Sequence, residues 1–254
     1  MSDYRKIIEV LRSPGGCPWD IEQTHESIRR NLLEEAYEVC EAIDEKDPEH
    51  LKEELGDLLM QVLFHARIEE EQGSFNLDDV ADASVRKLIY RHPHVFGDVT
   101  VDGSDDVVRN WDELKKKEKA QTTVTRTMTD VAETLPALWR AEKIQKKAAK
   151  AGFDWPDVKG AMEKLHEETD ELQAAINEGD AAHVEEELGD LLFTAVNIAR
   201  FVKTDPETAL HRCCEKFIRR FDYVEQEVDR RGRKLSDMTL DEMDMLWEQG
   251  KKME

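Results

Sequence analysis

The chain has 254 residues, 39% of them hydrophobic and 37% charged, with only 12 Gly and 7 Pro; this excludes a disordered or collagen-like polymer and leaves room for two ordinary domains. Its formal charge of −22 repels duplex nucleic acid and anionic membranes, although a small anionic substrate can still bind where cations reverse the sign locally. Cys17, Cys40, Cys213 and Cys214 lack C-x-x-C spacing, which argues against a zinc or disulfide framework, and the absence of an apolar N-terminal h-region or a long apolar run predicts a soluble, cytoplasmic protein.

Residues 3–12 are predicted as a short amphipathic helix through Ile7, Ile8, Val10 and Leu11, stopped by Ser13-Pro14-Gly15-Gly16. Cys17-Pro18-Trp19-Asp20 is predicted as a loop. From about Thr24 a helix carries Ile28, Leu32, Leu33, Ala36, Val39, Cys40 and Ile43 at a period of 3.6. Asp47 then caps a second helix with Pro48 in its first position, and this helix runs through Leu51, Leu55, Leu58, Leu59, Val62, Leu63 and Ala66 until Gly73 ends it. So short a connection makes the two helices antiparallel neighbours.

A helix from about Leu77 to Arg91 follows, broken by His92-Pro93-His94, then a loop over 97–104 and a short helix with Trp111, Leu114 and Lys115. Residues 120–129, with five Thr, are the expected linker between domains at 1–119 and 130–254. The second half repeats the order: a helix through Leu138, Ile144 and Ala148, the segment Gly152-Phe153-Asp154-Trp155, an acidic helix, a turn at Gly179-Asp180, and a second acidic helix.

The acids carry the repeat. EEAYE and ELGD place Glu34, Glu35 and Glu38 on one helix and Glu54 and Asp57 on the next; EETDE and ELGD supply Glu167, Glu168, Glu171, Glu187 and Asp190 in the same register, each 133 positions later. Advancing about 100° per residue, Glu35 and Glu38 fall on one flank of their apolar stripe, and Glu54 and Asp57 on the equivalent flank of theirs, while Glu34 points further out. Antiparallel packing lets these flanks face each other. A lone E-x-x-D in an acidic protein is usually a solvated face. Here the acids border the apolar arc, both pairs use the same flank, and the pattern recurs while neighbours change, as from Glu41 to Ala174.

Four ionised carboxylates in one seam raise one another's pKa or part the helices unless a cation neutralises them. With no His or Cys in the row, Mg²⁺, Mn²⁺ or Ca²⁺ suits the oxygens better than zinc. Gly56 and Gly189, directly before each Asp, point either to close approach by a backbone or ligand or to tight helix packing. The E-x-x-H pairs Glu22/His25 and Glu163/His166 are not equivalent between halves and read as incidental; His50 and His183 are equivalent but read as surface residues near the helix start.

These motifs, with the GCPWD segment, LPALWRAEKIQKKAA and the tail around Trp247, resemble the MazG family of the all-α nucleoside triphosphate pyrophosphohydrolases over nearly the full length. The resemblance implies hydrolysis of nucleoside triphosphates, ribo- or deoxyribo-, to monophosphate and pyrophosphate with Mg²⁺, Mn²⁺ being the alternative ion, as in house-cleaning of a nucleotide pool. By position it implies Glu168, Glu171, Glu187 and Asp190 as metal ligands in the second half and Glu35, Glu38, Glu54 and Asp57 in the first, with Glu168 or Glu35 as the base. Lys216, Arg220 and Lys251 would hold phosphates and Trp247 would lie against the nucleotide; their first-half equivalents are Lys87, Arg91, Lys115 and Trp111.

Phe64 stands where the second half has Asn197, so Phe64 is expected in the core, Asn197 on the nucleotide, and the second half as the main catalytic unit. The expected fold is all-α, two similar domains of four-helix-bundle type, each motif supplying one helix pair and a homodimer completing the bundle. The competing reading from another class is an acidic helical interaction module whose ion is structural or regulatory and which turns nothing over.

Overall fold

The computed structural model describes residues 2–118 and 122–252, apart from the side chains of Ser2 and Lys116. Among the described residues all regular structure is helical, and the chain divides into two compact units, Met1–Lys117 and Glu118–Glu254.

In the first unit α1 (Ser2–Arg12) leads into α2 (Pro18–Glu22), then α3 (His25–Glu45) and α4 (Pro48–Gln72). Thr24 and Ser27 form a reciprocal capping box at the start of α3, and Asp47 accepts from the backbone N–H groups of Glu49 and His50 at the start of α4. Between them Lys46 ends α3 at φ 60°, in the left-handed region, where the second half has Gly179 at φ 76°. The α3–α4 turn therefore closes within two residues, and the helices pack as an antiparallel pair. Ile8, Ile28, Leu63, Phe64 and Ile68 form the core of this unit, so α1 lies against α4. Helices α5 (Leu77–Arg91), α6 (Pro93–Phe96) and α7 (Ser104–Glu118) complete it.

Besides α6, which falls at the predicted His92-Pro93-His94 break, two short helices differ from expectation. The segment read as a loop at Cys17-Pro18-Trp19-Asp20 contains α2, because Pro18 presets its first turn and the buried Arg12 binds its end. Arg12 donates to the carbonyls of Asp20 (2.5 Å) and Gln23 (3.2 Å) and, through Nε and Nη2, to both oxygens of Glu71 on α4. The second is α8 (Val124–Thr129), which falls inside the stretch read as a linker; Thr127 and Val131 are buried and α8 packs on α9 (Ala137–Lys150). Residues 120 and 121 of that stretch lie outside the described residues.

The second unit continues with α10 (Val158–Glu178), α11 (Ala181–Phe201), α12 (Pro206–Arg230) and, after a short 3₁₀ turn, α13 (Leu240–Gly250). Asp180 caps α11 as Asp47 caps α4. Val224 and Val228 of α12 and Leu246 of α13 form a buried cluster with Met238.

The acidic helix pairs keep much of their apolar surface open in a single chain. Leu33 and Ile43 on α3, Leu55 and Val62 on α4, and Ile176, Leu188, Leu192 and Phe193 on α10 and α11 are all exposed. The stripes read as core from their period are thus only half covered by their own unit.

Candidate active site

On α3 and α4, carboxylate oxygens of Glu35, Glu38 and Glu54 lie within 4.8 Å of one another, and on α10 and α11 so do those of Glu168, Glu171 and Glu187. Glu35 and Glu38 are one turn apart on one helix and Glu54 comes from the antiparallel partner, an arrangement that the tight α3–α4 turn holds in register. Asp57, one turn beyond Glu54, is close enough to Glu35 to act on it electrostatically, whereas Asp190 is exposed one turn beyond Glu187. Glu34 stands apart, paired with Arg30 on the outer face of α3.

Crowded negative charge shows in the proton affinities. Partial burial, then the charges of Asp57 and Glu38, push the Glu35 carboxyl above the ordinary range. Burial followed by Asp57 and Glu35 raises the Tyr4 phenol, whose hydroxyl donates to the Gly56 carbonyl at 3.2 Å. In the second unit desolvation and the charges of Glu168, Glu167 and Glu187 raise Glu171, while Lys164 pulls it the other way.

Lys164 distinguishes the two sites and has no counterpart in the sequence reading. Its ammonium lies 2.7 Å from Glu168 and from Glu167 and 3.8 Å from Glu171, serving as an internal counterion among the acids, and Asn31 occupies the equivalent place in the first half. The i, i+4 spacing from Lys164 to Glu168 was the available signal.

His50 and His183, read as surface residues away from the acids, instead touch them. His50 bridges Glu45 (2.8 Å) and Glu54 (3.2 Å), and His183 bridges Glu178 (3.2 Å) and Glu187 (3.1 Å). The hydrogen bond to Glu45, then the charges of Glu45 and Glu54, raise the His50 pKa against burial; His183 is raised in the same way by Glu178 and Glu187.

The cationic and aromatic candidates gather on other helices. In the first unit the Arg91 guanidinium and the Lys115 ammonium each lie 4.9 Å from the Trp111 ring centroid, Arg91 being buried and Lys87 exposed on α5. In the second, Arg220 lies 5.8 Å from the Trp247 ring, which packs on Phe217 at 4.9 Å, while Lys251 pairs with Glu248 and Lys216 is half-buried on α12. Phe64 is in the core. Asn197 is buried, and its amide oxygen accepts twice from Arg200, which also binds Asp154. A Cβ added at Gly56 or Gly189 would find nothing within 4 Å, so close packing against that side of the helix does not explain either glycine in the single chain.

Three converging carboxylates per unit, with no nitrogen or sulfur donor among them, fit a hard divalent cation. Burial and then the charges of Asp57 and Glu38 raise Glu35, a repulsion that a divalent ion would relieve.

Fold and site together define a helical, tandemly repeated protein with one cluster of three carboxylates per repeat among the described residues. The family model described as the MazG nucleotide pyrophosphohydrolase domain matches residues 23–96 and 157–225, enclosing both carboxylate clusters. Nucleoside triphosphate pyrophosphohydrolases of Thermotoga maritima and Escherichia coli are each 44% identical to this chain, the first over 96% of this chain and 93% of its own length, the second over 98% and 95%. An uncharacterised Bacillus subtilis protein, YabN, is 49% identical over 100% of this chain, which spans 52% of that protein. The chain belongs to the MazG nucleotide pyrophosphohydrolase family.

Proposed function

We propose that this chain hydrolyses nucleoside triphosphates, ribo- or deoxyribo-, to nucleoside monophosphate and pyrophosphate, with Mg²⁺ (alternatively Mn²⁺) held by Glu35, Glu38, Glu54 and Asp57 in the first unit and by Glu168, Glu171, Glu187 and Asp190 in the second. The observation that carries this reading is the convergence of three carboxylates at equivalent places in both units. The names of the relatives from Thermotoga maritima and Escherichia coli support the reaction.

A bound divalent ion supplies charge neutralisation on the phosphates and acidifies water. The protein's own groups do the rest. Glu35 or Glu168 takes a proton from the water that attacks the α-phosphorus, a task suited to the raised proton affinity of Glu35. The α–β anhydride bond breaks and its oxygen leaves with pyrophosphate, whose charge Lys216, Arg220 and Lys251 hold in the second unit and Lys87, Arg91 and Lys115 in the first. Trp247 or Trp111 packs on the nucleotide, and Asn197, oriented by Arg200, borders it.

The second unit is the main catalytic one in this reading. Phe64 is committed to the apolar core and Arg91 is buried against Trp111, whereas their equivalents are Asn197, buried but polar, and the half-buried Arg220. Two copies of the chain complete the helical bundles, as the open stripes on the acidic helix pairs support. The charge of −22 disfavours binding to duplex nucleic acid and anionic membranes; no described helix is long and apolar enough to cross a membrane.

Pyrophosphate release from a panel of nucleoside triphosphates with Mg²⁺ tests the assignment. The double variant Glu38→Gln, Glu171→Gln is expected to lose at least about 100-fold in rate, since each change removes a charge that holds the ion. Full activity in that variant rules the assignment out, and the single variants apportion turnover between the units.

A further inference from the structure

Glu45, His50 and Glu54 recur as Glu178, His183 and Glu187 with identical spacing, although of the residues between the first Glu and the His only the capping Asp is kept, Lys46-Asp47-Pro48-Glu49 against Gly179-Asp180-Ala181-Ala182. In each unit the first Glu is at the C-terminal end of one helix, the His is in the first turn of the next, and the second Glu is a ligand candidate one turn further on. Asp47 and Asp180 fix the His backbone by accepting from its N–H.

The contact is more than an exposed helix pair of the kind that contributes little. Both imidazole nitrogens lie within 3.2 Å of carboxylate oxygens, so each ring is seated between two acids, one across the turn and one on its own helix. Its inner partner is the most enclosed end of the bridge: the Glu54 and Glu187 side chains are 12% and 14% exposed, against 53% and 63% for Glu45 and Glu178. His183 Nε2 bonds one oxygen of Glu187 at 3.1 Å and His50 Nε2 stands 3.2 Å from Glu54, so each imidazole borders a carboxylate that also lies beside Glu168 and Glu171, or Glu35 and Glu38.

We infer that His50 and His183 are positioning residues, each orienting one carboxylate of the cation site from one turn earlier on the same helix. The inference rests on the proposal that these clusters hold a divalent ion. A partner behind a ligand that limits its rotation raises affinity for the ion, and loss of such a partner costs about 10- to 100-fold.

The test is Mn²⁺ binding to the full chain, followed by the electron paramagnetic resonance of free Mn²⁺, in wild type and in two double variants, His50→Ala with His183→Ala and His50→Gln with His183→Gln. Gln keeps a donor aimed at the Glu one turn on; Ala does not. The expected result is binding weakened about 10- to 100-fold in the Ala variant, largely restored in the Gln variant, with both melting like wild type in EDTA. Unchanged affinity in the Ala variant overturns the inference and leaves the cation site standing. Equal weakening in both variants overturns it too, because a scaffold role makes no distinction between Ala and Gln. Absence of saturable Mn²⁺ binding in the wild type overturns both the site and the inference.

Discussion

His25 and His65 stack with ring centroids 5.0 Å apart, their Nδ1 atoms 2.7 Å from each other, and His25 Nε2 is 2.7 Å from Glu69. Glu69 accepts from His25, so in the neutral pair His65 donates its Nδ1 proton to His25 and keeps a bare Nε2, which is buried without a partner. Protonating that nitrogen places an N–H where nothing accepts it; burial, then the His25 charge, lower the His65 pKa. An unfolded His65 takes a proton near pH 6.5 while the folded one resists, so its contribution is fully present above that pH and is lost as pH falls towards the lower folded value. Denaturant unfolding is expected to show a larger drop in stability between pH 7.5 and 5.5 in wild type than in His65→Gln; equal drops exclude His65 as the source. At this scale much of the site was legible: the angular positions of Glu35, Glu38 and Glu54 follow from helical period alone. His25, His50 and His183 were misjudged because a partner of each lies across a turn or on another helix, and a linear sequence reports spacing without saying which side chains meet; Lys164 was passed over although its i, i+4 spacing to Glu168 was visible.

The helices that position the site were readable wherever a period of 3.6 persisted between strong caps, as from Thr24 to Gly73. Five-residue α2 and six-residue α8 escaped, since neither is long enough to display a period and each is held by tertiary contacts, α2 by Arg12 and α8 by packing on α9. Gly56 and Gly189 are the opposite case: glycine in mid-helix costs about 1 kcal/mol relative to alanine, and in the single chain nothing occupies the space a methyl would take. Gly56→Ala with Gly189→Ala is therefore expected to raise the thermal midpoint while lowering pyrophosphate release, because the space beside the ligand helices is kept for nucleotide or a second copy. Stabilisation with undiminished turnover removes that explanation. The expectation of close approach is met by nothing within one chain, and this is the kind of information that neither propensity nor period contains.

For the whole molecule, duplication was legible from register, yet the extent to which each unit covers itself was not. Apolar period marks a face for burial without naming what buries it, and Leu33, Ile43, Leu55, Val62, Leu188 and Leu192 remain open in the single chain. Light scattering is expected to give twice the 29.4 kDa of one chain, and Leu55→Asp with Leu192→Asp is expected to return it to one chain with loss of activity; a wild-type monomer contradicts the assembly. If the stripes are closed only by association, the folded state includes a bimolecular step and obeys mass action: each tenfold dilution subtracts about 1.4 kcal/mol from the stability of a dimer relative to free chains. The amount of protein present then enters its own rate law, so turnover per chain is constant when the enzyme is abundant and declines as it becomes scarce.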